Sequence, residues 1–206
     1  MEHGKMLWRA LVRTLSTGLV LLSAATAAQA QHGAMDFGMM YTQERSRFVG
    51  TDTGDNYFYL RGASFDLASS MWKGFGPAVS ATGLAASNER GNIDIHHIEL
   101  LGGLRYTRNW GHITPTVITR RMSLFAEAKA GYTFATSGLY PVNGIVQDHA
   151  SALTYAGGGG FNLHAYQRFD LRLVDVQYVI SKLPNGSTNQ QNTLRFGAGL
   201  NFHFGP

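Results

Sequence analysis

The chain has 206 residues, with 25 glycines, 5 prolines and no cysteine; 44% of it is hydrophobic and only 15% charged, and its formal net charge is +4. Ordinary soluble domains carry nearer ~25% charged residues, and the missing cysteines exclude disulfides, thiol catalysis and cysteine-ligated metals. So weak a basic balance does not point to nucleic acid, and the length predicts one folded domain.

Lys5, Arg9 and Arg13 precede an apolar, small-residue run from about Leu15 to Ala28, and Ala28-Gln29-Ala30 is an A-x-A cleavage pattern. That is the layout of a secretory signal peptide, so residues 1–30 are expected to leave on export and residues 31–206 to fold. No later stretch approaches the ~20 consecutive apolar residues of a spanning helix. The exported chain is either soluble or in a membrane as strands.

Eight segments of period-two alternation follow, without an amphipathic helix. Near Met35–Gln43, Phe37, Met39 and Tyr41 oppose Asp36, Gly38 and Thr42. About Tyr57–Ala68, Tyr59, Ala63, Phe65 and Leu67 oppose Gly62, Ser64 and Asp66, with Arg61 on the apolar parity, at a rim or a register shift. About Trp72–Leu84, Phe75, Val79 and Ala81 oppose Gly74, Gly76, Ser80 and Thr82; Pro77 there cannot donate to a ladder. About Ile95–Thr107, Ile98, Leu100, Leu104 and Tyr106 face away from Glu99, Gly103, Arg105 and Thr107.

The fifth segment, about Met122–Thr136, sets Leu124, Ala126, Ala128, Ala130, Tyr132 and Phe134 against Glu127, Lys129, Gly131 and Thr133. The sixth, about Ala152–His164, sets Leu153, Tyr155, Phe161 and Leu163 against Thr154, Gly158, Gly160 and Asn162. The seventh, about Phe169–Lys182, needs a bulge near Leu173-Val174 to turn Asp175 and Gln177 to the polar side. The last is the cleanest: Leu194, Phe196, Ala198, Leu200, Phe202 and Phe204 alternate with Arg195, Gly197, Gly199, Asn201 and His203.

Polar, glycine-rich links at about Glu44–Asn56, Ala85–Asn92, Ser137–Ser151 and Leu183–Asn192 alternate with short ones at about Ser69–Met71 and Ala165–Arg168 and a middling one near Arg108–Arg120. Long outer loops and tight inner turns between strands of ~10 residues describe a transmembrane barrel. The expected fold is therefore all-β: an eight-stranded antiparallel transmembrane β-barrel, an up-and-down meander, with both ends on one side and lipid against the apolar parity. Glycines and charges then face the axis, where eight strands leave room only for side chains. The inward charges are Arg105, Lys129, Arg172 and Arg195 against Asp36, Asp66, Glu99, Glu127 and Asp175. Reflecting the fourth segment onto the fifth about Thr114 pairs Glu99 with Lys129. A lumen ion-pair network of Glu99, Arg105, Glu127, Lys129, Arg172, Asp175 and Arg195 is expected.

Catalytic and metal readings rest on Asp94, His96, His97 and Glu99. Imidazole and carboxylate both suit divalent ions, but adjacent strand residues point to opposite faces, so His96 and His97 cannot share a site on a regular strand. No serine stands in a hydrolase motif, and no catalytic, cofactor or metal site is expected. Gly157–Gly160 lacks the Lys-Ser/Thr and helix of a phosphate loop and is expected to make room for lumen side chains. His203 is expected to fill space near the inner end.

The signal, Trp72 with Phe75-Gly76, Arg121-Met122-Ser123-Leu124-Phe125-Ala126-Glu127, Leu171-Arg172-Leu173-Val174-Asp175-Val176-Gln177-Tyr178 and Asn192–Phe204 together resemble the bacterial OmpA-type and OmpX-type eight-stranded outer-membrane barrels. They are more closely similar to the stand-alone barrels of environmental Gram-negative bacteria. The resemblance spans nearly the whole exported chain. It implies an outer-membrane location, no peptidoglycan-binding domain, and a C-terminal assembly signal at Gly199, Phe202 and Phe204 read by the barrel insertion machinery. Gly197, where that signal usually has a polar residue, and the trailing Gly205-Pro206 depart from it. The expected protein is a monomer in outer-membrane lipid, non-enzymatic, with a structural or surface-interaction role: envelope integrity, adhesion or binding through its outer loops. The alternatives are a narrow channel for small solutes or ions and a lipid-acting enzyme centred on His97.

Overall fold

A computed structural model describes residues 34–47, 57–89, 93–110, 122–142, 145–166, 168–184 and 189–204. The expected signal peptide and Gly205-Pro206 lie outside the described residues. Eight strands run β1 (Ala34–Arg47), β2 (Tyr57–Ser70), β3 (Phe75–Glu89), β4 (Ile93–Trp110), β5 (Met122–Val142), β6 (Ile145–Tyr166), β7 (Phe169–Ser181) and β8 (Gln191–Phe204). Each pairs antiparallel with its sequence neighbours, and β8 pairs with β1 to close the cylinder. Closure leaves the barrel wall without the unpaired edge of an open sheet.

The wall is greasy outside and polar inside. Leu104 on the outer face is 63% exposed, while Arg172 on the inner face is 1% exposed. Tyr41, Phe65, Ile98, Tyr132, Tyr155 and Phe196 are also exposed, and Asp66, Glu99, Glu127 and Arg195 are buried. A water-soluble barrel has the opposite arrangement. The wall is also thin: a Cβ at Gly199 would run into the backbone carbonyl of Met39 on β1, so glycine lets the closing strands approach.

At the end where β2 turns into β3, Lys73 and Gly74 have positive φ, 48° and 92°. The Phe75 N–H donates to the Trp72 carbonyl at 2.8 Å, the two-residue turn that suits twisted strands. Trp72 therefore stands exposed in a turn, and β3 starts at Phe75 rather than at Trp72. Pro77 lies just beyond the end of the β2–β3 ladder, whose last pair is Ala68 with Ala78. Arg61 sits in unbroken register opposite Gln43, exposed on the outer face near the far rim. The bulge on β7 lies at Leu173-Val174, both exposed, with the β8 register jumping between Arg172 and Asp175.

The strands overrun the expected loops. Glu44–Arg47 belongs to β1, Ala85–Glu89 to β3 and Gln191-Asn192 to β8. Most of the expected loop Ser137–Ser151 is strand: β5 and β6 have 21 and 22 residues against 13 for β7. The last β4–β5 pair is His96 with Thr136, and the last β6–β7 pair is Thr154 with Ser181. Beyond these, β5 and β6 continue as a two-stranded hairpin in which Tyr140–Val142 pair with Ile145–Gln147, with a register shift between Thr136 and Tyr140. At its tip Ile145, Val146, Asp148 and His149 are all exposed, so the ladder continues there while the hydropathy alternation stops.

Candidate functional site

The interior is filled in layers. In the middle layer Asp66 on β2 joins two arginines: Arg105 Nη2 lies 2.7 Å from its Oδ2 and Arg172 Nη1 2.6 Å from its Oδ1. Arg105 also binds Glu127 through Nε and Nη2, at 2.9 and 2.6 Å. Lys129 Nζ is 2.5 Å from Glu127 Oε1. Gln177 Nε2 donates to Glu127 and Asp175 at 2.9 and 3.0 Å. Arg172 uses its remaining donors on Asn162 and Asn201, at 3.0 and 3.1 Å, with Asp175 at 3.5 Å. Both guanidinium carbons lie 4.5 Å from the Phe125 ring centroid, where a ring face attracts cations. Three carboxylates, Asp66, Glu127 and Asp175, meet three cations, Arg105, Lys129 and Arg172, so the desolvated charges are compensated.

Backbone shape makes this layer possible. A Cβ at Gly38 would strike the Asp66 carboxylate, and one at Gly160 would press on the Phe125 ring. Gly158 and Gly160 thus make room inside, as do other inward glycines, whereas Gly157 faces outward into open space.

A second ion cluster lies nearer the hairpin end. Arg195 Nη2 reaches Glu44 Oε2 at 2.5 Å and Glu99 Oε2 at 2.6 Å. The expected Glu99–Lys129 pair is not formed: the β4–β5 register sets Glu99 against Thr133 and Lys129 against Gly103. The pairing of Trp110 with Met122 centres the register on Thr116 rather than Thr114, so Glu99 reaches across the lumen to β8 and Lys129 stays with Glu127 on its own strand. The other expected network residues, Arg105, Glu127, Arg172, Asp175 and Arg195, lie in the two clusters just described. Glu44 escapes the sequence reading because its surroundings have the composition of a loop, yet it continues the inward parity of Asp36, Gly38 and Thr42.

Above these ions the interior turns apolar. Phe58, Leu60, Leu84, Ala86 and Ile95 form one buried cluster, and Ala135, Tyr140, Ala152 and Leu183 another. At the opposite end, His203 Nδ1 lies 2.6 Å from Asp36 and its Nε2 2.8 Å from Asp170, which also binds His164 at 2.8 Å. His203 is thus held in a chain of alternating acids and imidazoles.

His96 and His97 point to opposite sides of β4: His96 is exposed, and His97 is buried with its Nε2 3.5 Å from the Tyr140 hydroxyl. Glu99, on the inner side with His97, is taken by Arg195. Among the described residues no group of three His, Asp or Glu side chains is placed to hold a metal. Gly199 faces inward, while Phe202 stands within 6.4 Å of Phe37 and 6.3 Å of Phe169 and Phe204 is exposed at the rim.

A closed antiparallel cylinder with a lipid-like exterior and an ionic interior defines a transmembrane β-barrel. No protein-family model matches the chain, and no curated protein matches it in sequence. Among solved structures it is similar to Neisserial surface protein A, at 11% identity over 84% of this chain and 97% of that one, with a TM-score of 0.57. It is also similar to Ail, the attachment invasion locus protein of Yersinia pestis (18% identity, 84% and 100% covered, TM-score 0.49), and to the N-terminal barrel of Pseudomonas aeruginosa OprF (12%, 84% and 98%, 0.41). The chain has the fold of the eight-stranded outer-membrane β-barrels. At such identities the likeness carries the fold alone.

Proposed function

We propose that the protein is a monomeric, non-enzymatic barrel of the bacterial outer membrane that works as a rigid stake for the β5–β6 hairpin, through which it makes surface contacts. The observation that carries this is the contrast between a packed interior and a projecting hairpin. Among the described residues the interior carboxylates, Asp36, Glu44, Asp66, Glu99, Glu127, Asp170 and Asp175, are each bound to a cation, an imidazole or an amide. None of these is left over for acid–base work, and the apolar layers at Leu60 and Leu183 oppose passage of ions. By contrast, Ile145 and Val146 at the hairpin tip are 66% and 62% exposed, beyond the last pairs with the neighbouring strands β4 and β7.

Export through residues 1–30 and insertion through a final strand ending in Phe202 and Phe204 complete this reading. Its test has three parts. Protein from outer-membrane fractions should migrate differently before and after boiling, and in planar bilayers it should give no conductance steps. Cells carrying an Ile145→Asp, Val146→Asp double variant should lose whatever autoaggregation or surface adhesion the wild-type protein confers. Unitary conductance would overturn the sealed stake in favour of a channel; unchanged adhesion would remove the hairpin from the contact.

A further inference from the structure

The lipid-facing wall is not uniformly bulky. On β5 and β6, near the end that carries the β2–β3 and β6–β7 turns, it sinks into a groove of about 560 Å³, within the roughly 300–1,000 Å³ of ligand clefts. Its floor is Ala126, paired with Gly159, and its sides are Tyr106 on β4 and Val174 on the β7 bulge. The bulge matters here: by sending both Leu173 and Val174 outward it raises one bank. Towards the rim the groove ends at Arg108 and Trp110.

Arg108 gives this groove a charge. It is exposed, its guanidinium carbon lies 5.5 Å from the Trp110 ring centroid, and among the described residues no carboxylate pairs with it. Among the described residues the other exposed cations of this rim, Lys73 and Arg168, lie in the β2–β3 and β6–β7 links. The rim's carboxylates, Asp36 and Asp170, are engaged by His203 and His164. An apolar trough with the volume of a ligand cleft, ended at the rim by an aromatic and by a cation that pairs with no carboxylate among the described residues, matches one amphiphile of negative headgroup.

We propose that the groove binds a single anionic glycerophospholipid of the inner leaflet, one acyl chain lying over Ala126 and Gly159 and the headgroup phosphate meeting Arg108. This rests on the membrane-spanning reading above. A Lys or Arg at an anionic surface attracts it enough for about a five-fold preference, and the groove fixes where that preference is felt.

Trp110 is its own reporter, since Trp72 is the only other tryptophan after residue 30. Full-length exported protein with Trp72→Phe is reconstituted in phosphatidylcholine vesicles containing equal small fractions of chain-brominated phosphatidylglycerol or chain-brominated phosphatidylcholine. Brominated phosphatidylglycerol should quench Trp110 with an apparent association about five-fold stronger. Arg108→Gln should erase that ratio while the boiling-dependent gel shift persists, and Ala126→Phe should weaken quenching by both lipids. The mirror variant, Trp110→Phe with Trp72 reporting, should show a smaller preference that ignores Arg108.

Equal quenching of Trp110 by the two lipids would overturn the site and leave the membrane reading intact. So would a preference that survives Arg108→Gln, which marks general surface attraction. Trp110 quenched by neither lipid in a protein that keeps its gel shift would mean that a protein partner covers the groove, again overturning the proposal. Loss of the gel shift together with all quenching would instead remove the membrane reading itself.

Discussion

The middle of the barrel and its hairpin end obey different rules. In the middle, each strand separates two environments, so every inward residue answers to the ions beside it and every outward one to hydrocarbon. In the β5–β6 hairpin Tyr140–Val142 pair with Ile145–Gln147 beyond the last β4–β5 and β6–β7 pairs, and Ile145, Val146, Asp148 and His149 are exposed while Tyr140 turns inward and is buried. Buried charge makes the first region intolerant of substitution, and exposure makes the tip of the second tolerant. That difference is where stability and surface contact part company.

The sharpest way to test the first half is Asp66→Ala. It strips a carboxylate that both Arg105 and Arg172 share and leaves two guanidinium groups short of countercharge in a dry layer. Removing one partner of a buried pair costs about 3–5 kcal/mol, so the unfolding midpoint in urea, read from the gel-shifted fraction, should fall by more than for any outward-facing substitution. An effect no larger than that of Tyr41→Ala would mean that water reaches this layer.

Lys129→Ala should cost less, about 1–3 kcal/mol. Glu127 would still be held by Arg105 and Gln177, while Glu99, satisfied by Arg195, would not notice. Double substitution of Lys129 and Glu99 should accordingly be additive, because the two sit in separate clusters. Coupling between them would restore the cross-strand pair that a turn near Thr114 predicts.

That mistaken pair shows what the sequence can carry. Period-two alternation reveals which parity is inside, and it places Arg105, Glu127, Arg172, Asp175 and Arg195 inward without reference to any partner. Even the Leu173-Val174 bulge is legible, because two polar residues change sides. Register is not, since it depends on where each hairpin turns, and the polar extensions of β4, β5 and β6 hide those points. Glu44 is lost for the same reason: it lies just past the outward Tyr41, which pairs with Ala63, where the composition already looks like loop. The apolar upper layer escapes because Leu60, Leu84 and Ile95 share the parity of polar residues, and only the closed cylinder brings them together.

The hairpin supplies the smallest expected effect on stability and so the cleanest contrast. Shortening it by removing residues 139–148 deletes no lumen ion pair and leaves the β4–β5 and β6–β7 ladders, which end at Thr136 and Thr154, untouched. Tyr140 would be lost from its contact with His97 and from the apolar cluster that includes Leu183, so Ile145→Asp with Val146→Asp, which spares Tyr140, is the control. For that control the unfolding free energy should stay within about 0.5 kcal/mol of wild type, as for surface changes generally, while adhesion falls. If the two aspartates destabilised the barrel as much as Asp66→Ala, the hairpin would be part of the barrel's own packing, and the division between a sealed wall and a free arm would fail.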